Sequence, residues 1–191
     1  MRMTEKEVLK IFEKCGAILT GHFLLSSGLH SPDYLQAAKV FQYPRYATLL
    51  SQELAVRFEK EEIDLVIGPA IGGILLSFEI GRILKVKTIF AEREKEKMSL
   101  RRGFSIQKGA RCLVAEDVIT TGVSTKEVIN LVKENDANVV GVAAIVERSK
   151  KGIDFKAKKE ILLRIPLITY PEKNCPLCKK KISLIKPGSR K

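Results

Sequence analysis

The stretch Arg111-Cys112-Leu113-Val114-Ala115-Glu116-Asp117-Val118-Ile119-Thr120-Thr121-Gly122-Val123-Ser124 constrains this chain more than any other. It opens as a short apolar run, breaks at two adjacent carboxylates, passes through hydroxyl side chains and a glycine, and enters helical spacing over residues 125–132. That order predicts a strand feeding a helix through a polar turn, the unit from which α/β sheets are built. In such sheets ligands settle beyond the carboxyl ends of the strands, where a helix N-terminus presents unpaired N–H groups and partial positive charge. Phosphate suits that position. Thr120, Thr121 and Ser124 add hydroxyl donors, and Gly122 lets the backbone approach with no Cβ in the way.

Glu116 and Asp117 set a second requirement, because carboxylates repel phosphate and seek hydroxyls or a metal ion. A sugar phosphate meets both demands, with its phosphate in the turn, its ring hydroxyls on the carboxylates and a divalent cation for any second phosphate group. The turn has neither the Gly-x-x-x-x-Gly-Lys of a P-loop nor the Gly-x-Gly-x-x-Gly of a dinucleotide fold. The plain alternative is a strand-to-helix turn whose Ser and Thr only cap the helix. The nine residues from Glu116 to Ser124 resemble the phosphoribosyl-pyrophosphate signature of the type I phosphoribosyltransferases. The resemblance implies an α/β fold with a central, mainly parallel sheet flanked by helices and a small N-terminal hood. It further implies that Glu116, Asp117, Val118, Ile119, Thr120, Thr121, Gly122, Val123 and Ser124 bind phosphoribosyl pyrophosphate. Magnesium would be carried mainly by that substrate, with no protein ligand assigned.

A chain of 191 residues with 45% hydrophobic content suits one domain with a sizeable core. The expected layout is a hood over about residues 1–43, a core over about 44–168 and a C-terminal tail. The net charge of +12, from 34 Lys and Arg against 22 Asp and Glu, points to anionic partners: nucleic acid, an acidic membrane or a sugar pyrophosphate. No apolar run reaches the length of a membrane span and the first residues lack the apolar core of a signal peptide, so a cytoplasmic protein without membrane contact is expected. Four cysteines do not make a disulfide scaffold at this length.

Near the start, Thr4-x-x-Glu7 is a capping-box pattern leading into Val8, Leu9, Ile11 and Phe12 at helical spacing, with Gly16 as the stop. Residues 21–25 and 33–36 then read as two short strands about a polar turn. By themselves they fit a wall of a base-sized pocket and a plain surface hairpin equally. Gly21-His22-Phe23-Leu24-Leu25-Ser26-Ser27-Gly28 followed by Ser31-Pro32 resembles the N-terminal hood of the orotate phosphoribosyltransferases. Ser26 stands where many members carry lysine, and Tyr34-Leu35 where they carry two aromatics. Pro44 opens a helix to about residue 60, with Ala47, Leu50, Leu54 and Phe58 as its core stripe. Residues 63–67 read as a buried strand, followed by the loop Gly68-Pro69-Ala70-Ile71-Gly72-Gly73 and a helix over 74–84. This second unit offers free amides to a phosphate, or is a tight turn chosen for packing. The resemblance implies that Ala70, Ile71, Gly72 and Gly73 hold pyrophosphate, mainly through backbone amides because Gly72 replaces a lysine of some members.

Residues 87–91 form a further strand, and the charged residues 92–103 read as a mobile loop with few anchors. Its charge is either simply solvated or forms a cation-bearing lid for a departing pyrophosphate. The resemblance implies a loop that closes over the neighbouring site of a homodimer, with Arg93 and Lys97 as its candidate cations. The loop has no histidine, and His22 and His30 are expected to be surface or hydrogen-bonded structural residues. Residues 139–146 read as a buried strand that delivers Arg148 to its carboxyl end, where the guanidinium fork suits a carboxylate or a structural salt bridge. The resemblance implies that Arg148 and Thr120 bind orotate. Residues 149–160 read as a solvated connector and 161–168 as a last strand, near an edge because of Pro166. In the tail, Cys175-Pro176-Leu177-Cys178 lacks two ligands of a zinc site, and Cys15 and Cys112 have no suitable spacing to supply them. Free thiols in an ordinary turn are expected, the other arrangement being two tails paired across a dimer. The ending Lys186-Pro187-Gly188-Ser189-Arg190 resembles tails in one branch of the family.

The implied reaction joins orotate to phosphoribosyl pyrophosphate, giving orotidine monophosphate and pyrophosphate with magnesium assisting, in pyrimidine biosynthesis. Two other readings share parts of the pattern. A purine-base phosphoribosyltransferase has the central motif but no use for a carboxylate-gripping Arg148. A regulator would sense ligand at the same site and bind nucleic acid through its basic surface, although no appended DNA-binding domain is evident and no nucleic-acid partner is expected.

Overall fold

The computed structural model describes residues 2–25, 27–95, 97–149, 151–166 and 168–187. Ser26 and the last four residues, with the Gly188-Ser189-Arg190 resemblance, lie outside the described residues.

Helix α1 (Glu5–Lys14) begins on the expected capping box: the Glu7 N–H donates to Thr4 Oγ1 at 3.3 Å, and the Thr4 N–H donates to Glu7 Oε2 at 2.8 Å. Its chain leaves through Gly16 at φ +59°. Strands β1 (Ile18–Leu24) and β2 (His30–Leu35) pair antiparallel as a separate hairpin, the hood. A single turn of helix, α2 (Ala38–Phe41), precedes α3 (Pro44–Val56), which carries its proline in the first turn. Then follow β3 (Leu65–Pro69), α4 (Gly72–Leu84), β4 (Lys87–Glu94), β5 (Lys97–Leu100), β6 (Arg111–Ile119), α5 (Val123–Glu134), β7 (Asn138–Glu147) and β8 (Lys158–Arg164). The tail adds a 3-10 turn at Glu172–Asn174 and the short α6 (Pro176–Lys179).

The main sheet has six strands in the order β5-β4-β3-β6-β7-β8, and every neighbouring pair is parallel except β4 with β5. Alternation along the central strands sorts the core into two layers. Val66, Leu113, Ala115, Ala143 and Ile145 join the residues of α1, α3 and α4, while Leu65, Ile67, Cys112, Val114, Val142 and Ala144 join those of α5. A sheet buried on both faces gives near-continuous apolar strands, which is how β3, β6 and β7 read in sequence.

Several expected boundaries move. Strand β6 does not break at Glu116 and Asp117 but runs through them, because β7 continues to offer partners: Glu116 sits opposite Ala144, Val118 opposite Val146 and Ile119 opposite Glu147. Helix α5 starts at Val123, inside the motif, and α3 stops at Val56 rather than near 60. The last strand is displaced toward the connector, leaving Pro166 beyond its end, and it is an edge strand as expected. The largest change is at residues 92–103, where an irregular loop was expected. The described part is a β-hairpin of β4 and β5, with Ala91 opposite Leu100 and Glu94 opposite Lys97. Met98 is buried and Leu100 packs on the α5-side core, and Arg102 grips Glu92 through bonds of 2.7 and 2.9 Å. Two apolar anchors are easily hidden among that many charges. Among the described residues no helix is long and apolar enough to cross a membrane.

Phe58 shows how tightly the α3 side is filled. It is fully buried, a Cβ at Gly141 would collide with its ring, and the Lys158 ammonium lies 4.8 Å from the ring centroid. Truncation by Phe58→Ala is expected to cost about 3–5 kcal/mol of stability, measured as a lower urea midpoint with the slope unchanged.

Candidate active site

The sheet order fixes where a ligand can enter. From β3 the chain winds outward to β4, and from β6 it winds the opposite way to β7 and β8. A crevice opens beyond the carboxyl ends of neighbouring strands at such a switch point. The motif turn after β6 and the glycine loop after β3 lie side by side there.

Glu116 is buried and accepts a hydrogen bond from Thr125 Oγ1 of α5 at 3.2 Å. Asp117 points into the crevice, where burial pushes its carboxyl up, opposed by backbone N–H groups of Val118 and of Asp117 itself. The loop after β3 comes down onto it: a Cβ on Gly72 would stand 2.6 Å from Asp117 Cγ. Gly73 is equally confined, by Pro69 and the Ala115 carbonyl oxygen. These glycines are present because any side chain would displace the loop from the carboxylates. Helix α4 has no side-chain cap, so its first amides remain available at this edge, and the Ala70–Ile71 peptide is cis.

Thr120 and Thr121 are exposed beside the uncapped N-terminus of α5, where Gly122 takes φ +74°. A Cβ at Gly122 would also meet Ile153 Cδ1 at 2.9 Å and Phe155 at 3.2 Å, so glycine is required by conformation and by space. Three elements thus bring amides, hydroxyls and two carboxylates to one sheet edge.

Arg148 joins them from the position just past the end of β7. Its N–H donates to the Ile119 carbonyl oxygen at 2.8 Å, which sets it beside Thr120. Its Nε is buried and has no hydrogen-bond partner among the described residues. Burial lowers the guanidinium's pKa, while nearby Tyr34 of the hood acts to raise it. Tyr34 packs against Phe23 across the hairpin, ring centroids 5.7 Å apart. A half-buried cation with an unpartnered Nε at the mouth of a crevice is suited to an anion.

The hairpin cations are turned elsewhere. Arg93 forms a fork with Glu127 of α5, one bond being 3.0 Å, and Lys97 lies 4.0 Å from Glu134. The structure therefore gathers residues 70–73, 116–124 and 148, and leaves Arg93 and Lys97 outside this cluster.

The phosphoribosyl transferase domain family matches residues 45–169. An orotate phosphoribosyltransferase of Thermoanaerobacter sp. (strain X514) is 54% identical over 189 residues, covering 99% of this chain and 100% of the relative. A second, from Caldanaerobacter subterraneus subsp. tengcongensis, is 55% identical over 189 residues, with 99% and 100% covered. The chain belongs to the orotate phosphoribosyltransferase family. Among solved structures, orotate phosphoribosyltransferase from Aeropyrum pernix superposes with TM-score 0.66 at 24% identity over 82% of this chain and 93% of that one. Adenine phosphoribosyltransferase from Thermoanaerobacter pseudethanolicus gives 0.60 at 16%, over 70% and 88%, which shows that the fold is shared across the wider family.

For a member of this family, two side chains of the site escaped the sequence reading. Thr125 lies one residue past the motif, and the signal was its helical position facing the strand. Glu147 immediately precedes Arg148 and is fully buried. It accepts bonds from Lys159 Nζ at 3.0 Å to both oxygens, from the Ile153 N–H at 2.8 Å and from Ser149 Oγ at 3.0 Å. Burial pushes this carboxyl up, but Lys159 and the other donors outweigh it and hold it below its ordinary value of 4.5. Its contribution to stability is therefore present above that value and lost as pH falls through the lowered one. Glu147→Gln, which strands the Lys159 charge, is expected to cost about 3 kcal/mol. The measurement is denaturant unfolding from neutral to acidic pH, where the variant should also lose part of the wild-type acid sensitivity.

Proposed function

We propose that this protein transfers the phosphoribosyl group of phosphoribosyl pyrophosphate to orotate, giving orotidine 5′-monophosphate and pyrophosphate. The observation that carries the reading is the half-buried Arg148 guanidinium with its buried, unpartnered Nε, beside Thr120 and the hood's Tyr34. A pyrimidine carboxylate satisfies that fork, whereas a neutral purine leaves it unpaired.

The other groups fall into place around the sugar. The 5-phosphate takes the uncapped amides of α5 with Thr120, Thr121 and Ser124, and the pyrophosphate takes those of residues 70–73. Glu116 and Asp117 receive the ribose hydroxyls. As the bond from C1 to the pyrophosphate oxygen breaks, its electron pair leaves with pyrophosphate and positive charge grows on the ring. The two carboxylates favour that charge, and an orotate ring nitrogen closes the new bond at C1. The open donors of the site are oxygens, the ligand type of magnesium, and among the described residues no side-chain cation acts on Asp117, so the residues fit a cation held mainly by the substrate. Magnesium, when bound, neutralises charge on the pyrophosphate oxygens.

Arg93 and Lys97 serve the leaving pyrophosphate after their ion pairs release. Surface pairs of this kind contribute about 1 kcal/mol or less, so the two side chains can swing away while Met98 and Leu100 keep the hairpin anchored. Leu49, Ile71, Leu75 and Phe78 expose apolar surface along α3 and the start of α4, a face that a second copy covers in a homodimer. In that dimer the hairpin reaches the neighbouring site.

Three measurements test this reading. Arg148→Ala should raise the KM for orotate by roughly 100-fold with little change for phosphoribosyl pyrophosphate, and adenine or hypoxanthine turnover at wild-type efficiency would overturn the substrate. Asp117→Asn should lower kcat by about 100-fold or more. Because burial raises the Asp117 carboxyl, its ionisation costs stability as pH rises, so this variant should unfold at a temperature no lower than wild type at neutral pH. Finally, mixing inactive Lys97→Ala and Asp117→Asn chains should restore up to about a quarter of wild-type activity through hybrid dimers with one intact site, whereas a loop acting within its own subunit restores none.

A further inference from the structure

His22 near the end of β1, His30 at the start of β2, and Cys175 and Cys178 of the tail bring one donor atom each to a single point, all within 4.8 Å of one another. His22, His30 and Cys175 are buried and Cys178 is half-buried. His22 Nε2 lies 3.5 Å from Cys175 Sγ and 3.7 Å from Cys178 Sγ, and His30 Nδ1 lies 3.3 Å from Cys178 Sγ. The two ring nitrogens are 2.9 Å apart. The two missing zinc ligands of the Cys-x-x-Cys segment are thus supplied by the hood, about 150 positions away in the chain.

We infer that these four side chains form a structural zinc site that staples the tail to the hood. The geometry matches the ion. Zn–S bonds of about 2.3 Å and Zn–N bonds of about 2.0 Å in a tetrahedron require S···N edges of about 3.5 Å. The donor set of two thiolates and two imidazoles suits zinc and excludes hard cations such as magnesium or calcium. Protonation agrees as well: His22 Nδ1 lies 2.8 Å from the Ile182 carbonyl oxygen, which only accepts, so that nitrogen carries the proton and Nε2 turns a lone pair to the centre. A carbonyl so placed fixes the tautomer that a metal needs. All four coordination positions are filled by protein, which marks a structural site rather than a catalytic one.

The surroundings give the staple something to hold. Leu24 N–H donates to the Ile185 carbonyl oxygen and Ile185 N–H to that of His22, both at 2.8 Å. His30 and Tyr170 exchange backbone bonds of 2.9 and 2.8 Å, and Ser31 Oγ donates to the Ile168 carbonyl oxygen at 2.8 Å. The tail therefore lies along both strands of the hairpin, and the four ligands sit at their junction. Closing so long a stretch of chain through a metal removes much freedom from the unfolded state.

The experiment is elemental analysis of protein produced with zinc in the medium and purified without chelator, followed by exchange into cobalt(II). One zinc per chain is expected, released in step with titration of Cys175 and Cys178 by a mercurial, and the cobalt form should show the intense visible bands of a tetrahedral sulfur-containing site. Cys178→Ser and His30→Gln should lose the metal. For wild type, a strong chelator should lower Tm by roughly 10 °C, reversed by added zinc, which tests the site even if a variant fails to fold. The proposal is overturned by protein that neither contains nor takes up zinc or cobalt, by zinc retained in both variants, or by a metal-free Cys175–Cys178 disulfide. Phosphoribosyl transfer measured in parallel keeps this result separate from the activity proposed above.

Discussion

A guanidinium buried without a partner is unfavourable, and a fold keeps one only where its neighbours are prevented from neutralising it. Arg148, half-buried with its Nε unpartnered among the described residues, approaches that position, and the reason lies one residue away. Glu147, the last residue of β7, would be its natural counter-ion, but that carboxylate is committed to other donors. The carboxylate is then fully engaged by Lys159, the Ile153 N–H and Ser149. The remaining neighbour with an electrostatic effect, Tyr34, is a phenol. The Nε is therefore left without a partner among the described residues, as the proposed binding of a carboxylate requires. Everything the site does for specificity depends on this separation of an acid and a base that adjoin in sequence.

The same carboxylate reaches the other half of the site. By accepting from the Ile153 N–H it fixes the connector after β7, and Ile153 with Phe155 packs on Gly122 in the phosphate turn. One buried ion pair thus sets both the strand end that carries Arg148 and the turn that carries Thr120, Thr121 and the amides of α5. On the opposite side, the contact of Gly72 with Asp117 locks the loop after β3 to the carboxylates. These are short-range packing constraints, and a close-packed interior transmits small displacements among them.

Much of this was legible from sequence where a local rule applied. The capping box at Thr4 and Glu7, the stripe of α3, the buried strands and the strand-turn-helix of the central motif each follow from spacing over a few residues. So does the placement of Arg148, since it needs only the end of a strand. The β4–β5 hairpin was not legible, because Met98 and Leu100 are two apolar residues amid nine charged or polar ones and a glycine, and their pairing with Arg93 and Ala91 is a tertiary choice. Glu147 read as part of a charged strand end, because its partners Ile153 and Lys159 come from a connector whose path no periodicity encodes. The four-residue cluster at His22, His30, Cys175 and Cys178 is the extreme case, with halves at opposite ends of the chain.

That cluster bears on the site through the hood. A two-stranded hairpin is marginally stable alone, and this one pairs with no strand of the main sheet. Its inner residues Ile18 and Leu35 reach the main core, but its outer strand edges are satisfied by the tail at Tyr170 and Ile185. The segment that places Tyr34 beside Arg148 is therefore held by contacts at both ends of the chain rather than by the sheet that carries the arginine. Whatever secures the tail secures the wall of the pocket. A crosslink at the hood–tail junction stiffens specificity without touching the reacting atoms, and it leaves the turn after β6 and the carboxylates of β6 to be positioned by the sheet, the connector and the loop after β3.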